Sequence, residues 1–490
     1  MKTKTLLLFF YLFTLISYAQ NNVIRIDDNV GSGDVYWTAN NTYYLDGNVF
    51  VNAGTTLYIE PGTVIKGSPG VGEESSFLCV ARDGMIIAEG TPDAPIIFTF
   101  EADPLDGSVP LETNGQWGGL LILGNASLNS TPGESAIEGI PTGEIRGLYG
   151  GTNDEDSSGI LSYISIRHGG TEIGAGNEIN GLTLGGVGSG TTINNIEVIS
   201  NADDGIEFFG GTVSVQNALV YGCGDDSYDY DEGWRGQFNS NWVAVASSNA
   251  GDRGGEHDGG TDPETAQPYA LPRIDNAIFI GKGDARALTF RDNAGGHYSN
   301  SIFFNYGKGV DIENLSDGED SYSRFLSGDL TFTNNIVDVI SNVFVTSTGN
   351  DDLVNYFILN NNSTSSDHGL TWDNGFANLT GRANWASWTL AVTSGRILLN
   401  PLSLNTQEDI KVDVLLYPNP IIEESIICSF GSYKEGTYTL INNLGQKICK
   451  GKFLGRNFEI KNIKLSGVYF LKLNFENYSI NKMVIKNEPV

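Results

Sequence analysis

Two consecutive stretches, "INNIEVISNADDGIEFFGG" (193–211) and "VQNALVYGCGDDSYDYDEG" (215–233), share one pattern. Each contains a polar turn with Asn, a short apolar strand, a corner of Gly or Asp, and a second short strand. The pattern recurs in "IDNAIFIGKGDARALTFRD" (274–292) and "YSNSIFFNYGKGVDIEN" (298–314). This part of the chain is therefore a degenerate repeat of strands.

The spacing of equivalent positions is steady. It is 22, 24 and 23 residues for the pairs Ile206 and Tyr228, Ile278 and Ile302, and Ala287 and Val310. A period of this length without a helical pattern indicates a solenoid, because one turn of chain cannot bury its own apolar face and has to stack on the next. Equivalent strands then form parallel sheets, and Gly and Asn supply the positive φ that the corners need. The sequence predicts an all-β fold, a right-handed parallel β-helix.

Composition limits the function. The 490 residues carry a formal net charge of -31, with a sequence pI near 4.3. A polyanion repels nucleic acid, so we expect no nucleic-acid partner, and its carboxylates suit divalent cations. The cysteines, Cys79, Cys223, Cys428 and Cys449, lack metal-ligand spacing. A disulfide between Cys428 and Cys449 stays open at this stage.

The N-terminus has the pattern of a secretory signal peptide. Lys2 and Lys4 precede an apolar core and a small-x-small cleavage site at Ser17 and Ala19. We therefore expect 1–19 to be removed, and the mature protein to have no integral membrane segment.

The β-helix is predicted for 20–397. Inside it, 128–158 and 247–272 are rich in Gly, Pro and acidic residues and have no period, so we expect both to be excursions from the solenoid. A linker is predicted at 398–410.

The opening strands carry further motifs: "NVFVNAGTTLYIEPGTVIKG" (48–67), "PDAPIIFTF" (92–100) and "NGQWGGLLILGNASL" (114–128). Together with the repeats, they resemble secreted bacterial β-helix proteins of the pectin-lyase-like type, over 48–314. The resemblance implies the architecture rather than an activity.

The composition changes at 411–490. "YPNP" (417–420), "NLGQ" (443–446), "LSGVY" (465–469) and a basic last strand with Lys482 and Lys486 follow in order. This segment resembles the type A C-terminal sorting domain of the type IX secretion system. The resemblance implies a small antiparallel β-sandwich, an interaction with that secretion machinery, and a location at the cell surface or outside the cell.

The acidic residues of 201–237 decide the functional hypotheses. The pairs Asp203-Asp204 and Asp225-Asp226 are 22 positions apart, which puts them at the same corner of adjacent rungs. Stacked carboxylates repel one another unless a cation or a shared proton neutralises them. Hydrogen bonding of Asp side chains to turn backbone is the plain structural alternative.

A bound cation, with Ca²⁺ as the candidate, is the first functional hypothesis, because hard cations prefer carboxylate and carbonyl oxygens. The candidate metal ligands are Asp204, Asp226, Asp229, Asp231 and Glu232.

Glycoside hydrolysis is the second hypothesis. Polygalacturonase-type β-helix enzymes have Asn-x-Asp, then Asp-Asp, His-Gly and Arg-x-Lys, and the resemblance gives the catalytic candidates Asp203, Asp225, Asp226, His257 and Arg291. Asp258 follows His257 and "DNA" follows Arg291, so both later motifs depart from that pattern. A Ca²⁺-dependent polysaccharide lyase with an arginine base, and a structural adhesin, are further alternatives.

Aromatic residues beside the acids could stack on sugar rings. The candidate substrate contacts are Tyr228, Tyr230, Trp234 and Arg235. The sequence thus favours a secreted, cation-stabilised β-helix protein that contacts polysaccharide, with a polysaccharide-degrading enzyme as the alternative.

Overall fold

The computed structural model describes residues 22–486 with internal gaps. The gaps are 138, 142, 175–176, 261–262, 316–319, 347–352, 354–356, 358, 400–413, 419–420, 422–423, 443–445 and 476–478. The predicted signal peptide and nearly all of the predicted linker lie outside the described residues. The chain divides into two compact units between Pro401 and Leu402.

Two parallel sheets build the first unit. The strands of the long sheet are Asn22–Ile26, Asp34–Trp37, Asn41–Leu45, Thr56–Ile59, Val64–Gly67, Met85–Glu89, Ile96–Phe100, Gly159–Arg167, Thr192–Ile199, Ser214–Tyr221, Asn239–Ser240, Val243–Val245, Arg273–Asp275, Ile278–Ile280, Gly296–Ser299, Ile302–Phe304, Leu330–Thr333 and Ile336–Asp338. The strands of the short sheet are Asn48–Val51, Phe77–Val80, Leu120–Leu123, Leu182–Gly185, Ile206–Phe209, Tyr228–Asp231, Gly255–Asp258, Arg286–Arg291, Lys308–Ile312 and Phe344–Thr346. Each strand of the short sheet pairs in parallel with the strand of the next rung, which confirms the predicted parallel β-helix.

The register confirms two of the three predicted repeats. Ile206 lies opposite Tyr228, and Ile278 lies opposite Ile302. The third was wrong by one residue, because Val310 lies opposite Leu288 and not Ala287. The strand 286–291 has four consecutive buried residues, so its sequence has no alternation that marks the inward positions.

Asparagines form a ladder where the strands of the long sheet bend. Asn195, Asn217, Asn241 and Asn276 have φ between 54° and 58°. Asn217 Nδ2 donates to Asn195 Oδ1 at 3.1 Å, and Asn241 Nδ2 donates to Asn217 Oδ1 at 2.8 Å. The predicted role of Asn in supplying positive φ is confirmed, and each amide also links one rung to the next.

Aromatic rings fill the core beneath the short sheet. Phe208, Tyr230, His257 and Phe290 occupy one inward column, with each residue in register with the next, and at most 1% of any of them is exposed. The rings of Tyr230 and His257 stack at 4.0 Å. The inward column is therefore continuous from rung to rung, as a solenoid core requires.

Added segments cover the outer face of the short sheet. The excursion 128–158 forms a hairpin of Ser135–Ala136 with Leu148–Tyr149, and Ile137 and Tyr149 pack in a cluster on the sheet. A second hairpin, Glu172–Gly174 with Asn177–Glu178, adds Ile173 and Ile179 to the same cluster. The other predicted excursion was wrong in part, because 247–272 contains the short-sheet strand Gly255–Asp258.

The segment before the second unit covers part of the outer face of the long sheet. Its strands and helices are Thr371–Asp373, Phe376–Asn378, the 3-10 helix Asn384–Trp388, the α-helix Leu390–Thr393 and Ile397–Leu398. Trp372 Nε1 donates to the Ala246 carbonyl at 2.9 Å, and the Ala391 amide donates to Glu197 Oε1 at 2.9 Å. The structure also describes the 3-10 helices Gly72–Glu74 and Ile145–Gly147 and the α-helix Ser321–Ser327. No described helix has the length and apolar character that a membrane crossing needs.

The second unit is antiparallel. Its strands are Val414–Tyr417, Ile426–Asn442, Lys447–Ile460, Gly467–Asn474 and Ser479–Lys486. The described strands join in one hydrogen-bonded sheet, and Leu440, Leu471 and Val484 lie in its core. The predicted antiparallel arrangement is therefore confirmed, with all the described strands in a single sheet. Cys428 and Cys449 are free thiols, as are Cys79 and Cys223.

The asparagine ladder can be tested at Asn217. Asn217→Ala removes two inter-rung hydrogen bonds and forces Ala into positive φ, so we expect it to destabilise the fold by about 3 kcal/mol. Asn217→Gly is the matched control, because it loses the same bonds without the backbone strain and should cost about 1 kcal/mol less. Thermal unfolding followed by circular dichroism measures both, and an Ala variant as stable as wild type would contradict the ladder's role.

Candidate functional site on the short sheet

Strand alternation sorts the acids from the aromatics of "YDYD" (228–231). Tyr228 and Tyr230 are buried, while Asp229 and Asp231 lie on the outer face. Register then places Glu207, Asp229 and Glu256 side by side on successive rungs. The outer face of the short sheet thus carries a column of three carboxylates about 4.8 Å apart.

A second column lies at the corner that precedes these strands. Asp204 Oδ1 accepts a hydrogen bond from the Asp226 amide at 2.8 Å, and Asp226 Oδ1 accepts one from the Arg253 amide at 2.7 Å. As the 22-residue spacing predicts, the two Asp pairs occupy the same corner of adjacent rungs. On the third rung the column changes from acid to base.

The two columns line a cavity of about 410 Å³, which we name the acidic groove. Its acidic lining residues are Glu178, Asp203, Asp204, Glu207, Asp225, Asp226, Asp229, Asp231, Glu256 and Asp258. Ile137 and Ile179, beside the covering hairpins, form its wall, and Asn180 lines it from the corner before Leu182. The groove is therefore shaped by the covering segments as well as by the sheet.

One end of the groove brings three carboxylates together. Oxygens of Asp204, Glu207 and Asp229 lie within 4.8 Å of one another. Asn180 Nδ2 donates to Glu207. Asn180 is only 7% exposed, and its Oδ1 has no hydrogen-bond partner among the described residues. Asp229 Oδ1 has none either, so this end holds buried oxygens whose bonding capacity is unused.

Burial raises the pKa of these acids. Burial is the largest cause for Asp204, Glu207 and Asp229, and neighbouring carboxylates raise their pKa values further. Burial likewise raises the pKa of Asp226 and of Asp231 to about 7. Ionising the whole cluster is therefore unfavourable without a compensating positive charge.

Arginines compensate the charge at the other end. Arg253 Nη1 lies 3.2 Å from Asp226 Oδ2. Glu256 Oε1 lies 3.3 Å from Arg253 Nη2 and 3.1 Å from Arg291 Nη2, and Arg291 also contacts Asp258 at 2.8 Å. The groove thus divides into an end held by arginines and an end made of carboxylates.

The predicted metal ligands are only partly together. Asp204 and Asp229 lie in the three-carboxylate group, and Asp226 and Asp231 line the same groove. Glu232 lies elsewhere, with its Oε1 2.6 Å from the hydroxyl of Ser130.

The predicted catalytic residues separate. Asp203 and Asp225 have carboxylate oxygens within 4.8 Å of each other and of Asp204, and Asp226 is next to them. His257 was a wrong choice, because it is 0% exposed and its Nε2 is 2.6 Å from the hydroxyl of Tyr298 in the core. Alternation in "GEHD" (255–258) turns this side chain inward. Arg291 pairs with acids at the edge of the groove.

Burial also corrects the predicted substrate contacts. Tyr228 and Tyr230 are 1% exposed and Trp234 is 0% exposed. Trp234 stacks on Phe208 at 3.9 Å, so these rings pack the core and cannot contact a polysaccharide on the surface. Arg235 is accessible but lies outside the acidic groove, with its Nη2 3.1 Å from Asp154.

The sequence reasoning missed Glu207, Glu256 and Asn180. Glu207 is 22 positions before Asp229, so the repeat itself was a signal that could have found it. Asn180 is 24 positions before Asp204 and, like Asp204, lies two residues before a short-sheet strand, so the repeat could have found it as well. Glu256 follows a longer rung, 27 positions after Asp229, and therefore lacks the repeat spacing.

The family model of the pectate-lyase-like beta helix domain matches residues 29–389. The match covers nearly three quarters of the chain and agrees with the parallel sheets. The chain belongs to the pectate-lyase-like β-helix family. Comparisons with curated proteins and with solved structures gave no match.

The acids of this pectate-lyase-like β-helix predict an unusual pH dependence. Asp226 and Asp231 have pKa values near 7 in the folded chain against an ordinary 3.8. Below about pH 4 both the folded and unfolded states hold these protons, and up to about pH 7 only the folded state does. Stability in chelator should therefore fall as the pH rises through that window.

The measurement is the melting temperature in EDTA between about pH 5 and pH 8. Asp226→Asn with Asp231→Asn should make the fall shallower, while Asp93→Asn, on an exposed turn, should leave it unchanged. A melting temperature that rises steadily across this range would contradict the raised pKa values.

Proposed function

We propose that this protein binds an acidic polysaccharide through a divalent cation held in the acidic groove. The observation that carries the proposal is the group of Asp204, Glu207 and Asp229, whose oxygens approach within 4.8 Å. The buried, unpartnered Oδ1 of Asn180 in the same groove supports it independently.

The donor set fits a hard cation. Ca²⁺ takes six to eight oxygens from carboxylates, carbonyls, amides and water. Asp204, Glu207, Asp229 and Asn180 offer oxygens of these kinds, and no cysteine or histidine lines the groove among its described residues. A bound cation would neutralise the charge of the neighbouring carboxylates. Its remaining coordination positions would bind carboxylate oxygens of a glycan.

A column of basic side chains supports the proposal that the ligand is acidic. Arg253, Arg286 and Lys308 lie on three successive rungs that continue the corner column of Asp204 and Asp226. They line a cavity of about 400 Å³. Lys308 has no ion-pair partner among the described residues, and Arg286 lies 3.1 Å from Asp311. A polysaccharide bound along this column would contact the divalent cation at one end and the basic side chains beyond it.

Cleavage of that polysaccharide is the second candidate function. Its support is Asp226, which keeps a pKa of about 7 beside Asp225, since a general acid needs a pKa close to the working pH. Asp226 is only 2% exposed and is held by Arg253, which favours binding over hydrolysis.

Export is part of the proposal. The N-terminal signal pattern and the motifs of 411–490 support transport by the type IX secretion machinery to the cell surface or the medium. An extracellular site would meet polysaccharides and millimolar calcium, which suits a site of moderate affinity.

Calcium binding tests the proposal. Calcium should raise the melting temperature of the wild-type protein, because a ligand that binds only the folded state stabilises it. Glu207→Gln and Asp229→Asn should each weaken calcium binding by roughly tenfold or more in a calorimetric titration. Asp93→Asn carries the same charge change outside the groove and should bind as wild type does. Equal affinity in Glu207→Gln and wild type would exclude this site.

A polysaccharide panel separates binding from cleavage. The full chain should be retarded in gels that contain an acidic polysaccharide with calcium, and Lys308→Ala should reduce the retardation. Reducing ends that disappear in Asp226→Asn would instead establish a hydrolase, and calcium-dependent unsaturated ends would establish a lyase. No retardation and no products with any acidic polysaccharide would refute the proposed function.

A further inference from the structure

A second groove lies on the outer face of the long sheet, apart from the acidic groove. Its cavity measures about 720 Å³, which is in the usual range of ligand pockets. We name it the amide groove, after the side chains that line it. The lining includes Thr192, Asn194, Ser214, Gln216, Gln237 and Phe238.

The stacking of rungs builds a polar floor. Thr192 lies opposite Ser214, and Asn194 lies opposite Gln216, which in turn lies opposite Ser240. Two rungs thus present hydroxyl and amide groups in two parallel columns, and Ser240 extends one column to a third rung, over about 10 Å. Each of these groups can donate and accept hydrogen bonds, as the hydroxyls of a neutral sugar also can.

Several of these polar groups have spare hydrogen-bonding capacity. Asn194 Oδ1 accepts from Ser162 and from Asn195 at 2.8 Å, but Asn194 Nδ2 has no acceptor among the described residues. The exposed amide of Gln216 makes no hydrogen bond to any described residue. On adjacent rungs, the Nδ2 donor of Asn194 and the whole side-chain amide of Gln216 are therefore available to a ligand.

Phe238 supplies an apolar platform at the end of the floor. Its side chain is 74% exposed and stacks on no described ring. The backbone holds it firmly, since the amides of Gln237 and Phe238 both donate to Ser214 Oγ at 3.0 Å. Gln237 Nε2 also donates to the carbonyls of Arg235 and Leu271, at 2.8 and 3.1 Å. An exposed aromatic ring on a rigid turn beside hydroxyl and amide groups suits the apolar face of a sugar ring.

The charges of this groove favour a neutral ligand. The Arg235 guanidinium contacts Asp154 at 3.1 Å and the hydroxyl of Ser127 at 2.8 Å, so its charge is already compensated. Glu155 is exposed at the edge and no further cation lines the described part of the groove, so an acidic chain would be repelled. This contrasts with the arginine and lysine column beside the acidic groove.

We propose that the amide groove binds a neutral polysaccharide, with a sugar ring stacked on Phe238 and neighbouring hydroxyls bonded to Asn194 and Gln216. This binding needs no divalent cation. It is independent of the proposed function, so the two can fail separately.

Affinity electrophoresis of the full chain in EDTA tests the inference, with galactomannan, hydroxyethylcellulose and dextran as the neutral probes. We expect retardation by at least one of them, weakened roughly fivefold by Phe238→Ala and also reduced by Gln216→Ala. Tyr36→Ala is the control, because Tyr36 is an exposed ring on a strand of the long sheet, 63% exposed and outside the groove. It should leave binding unchanged, as should Glu207→Gln in the acidic groove.

Three results would overturn the inference. They are the absence of retardation by every neutral probe, retardation that Phe238→Ala leaves unchanged, and a dimer in sedimentation that Phe238→Ala dissociates. The last result would mean that a second copy of the chain occupies the groove. Retardation only by acidic polysaccharide with calcium would leave the proposed function standing and refute this inference.

Discussion

Everything in the β-helix depends on the in-register stacking of rungs at about 4.8 Å. Parallel pairing fixes which side chain lies beside which, so each outward or inward position becomes a column whose members must tolerate one another. In the core, aromatic rings of successive rungs satisfy this constraint by stacking, as Tyr230 does on His257. The bends meet it with amides, because an asparagine can donate to the rung on one side and accept from the rung on the other. A substitution in such a column therefore changes two interfaces at once.

The same constraint is costly for carboxylates. Glu207 and Asp229 are adjacent because the repeat places them so, and their pKa values rise because burial, and then repulsion from neighbouring carboxylates, opposes ionisation. Farther along, Arg253 and Arg291 relieve the repulsion around Glu256. Among the described residues, the other end is lined by no arginine or lysine, so repulsion between its carboxylates is relieved there only by a proton or an external cation. That difference between the two ends is the physical reason to look for a ligand at one of them.

The repeat in the sequence predicted the architecture and the stacked Asp pairs, but the prediction did not include every side chain that the same spacing brings to the groove. The period predicted the β-helix and the stacking of Asp204 on Asp226, because both follow from the 22-residue spacing. The prediction for His257 was wrong, because the longer rung before 255–258 breaks the period and the strand there was not recognised. The alternation of that strand turns the His257 side chain into the core. The alternation of 228–231 could have shown that Tyr228 and Tyr230 are buried, but their position beside acids suggested a surface instead. Asn180 lies 24 positions before Asp204 at the same corner, but a neutral amide carries no charge that would mark it as a member of the acidic cluster.

The turn 231–235 connects the two grooves. Asp231 lines the acidic groove, and Arg235, four residues later, lines the amide groove. Between them Trp234 is fully buried, stacks on Phe208 and donates through Nε1 to the Val213 carbonyl at 3.0 Å. Because this ring is packed into the core, a movement of the turn that displaces Asp231 or Arg235 would also disturb the packing of the neighbouring rungs. The two surfaces are thus held at a fixed separation while their charges differ, so a solenoid of this kind can present two chemically distinct faces to the same extended polymer or to two different ones.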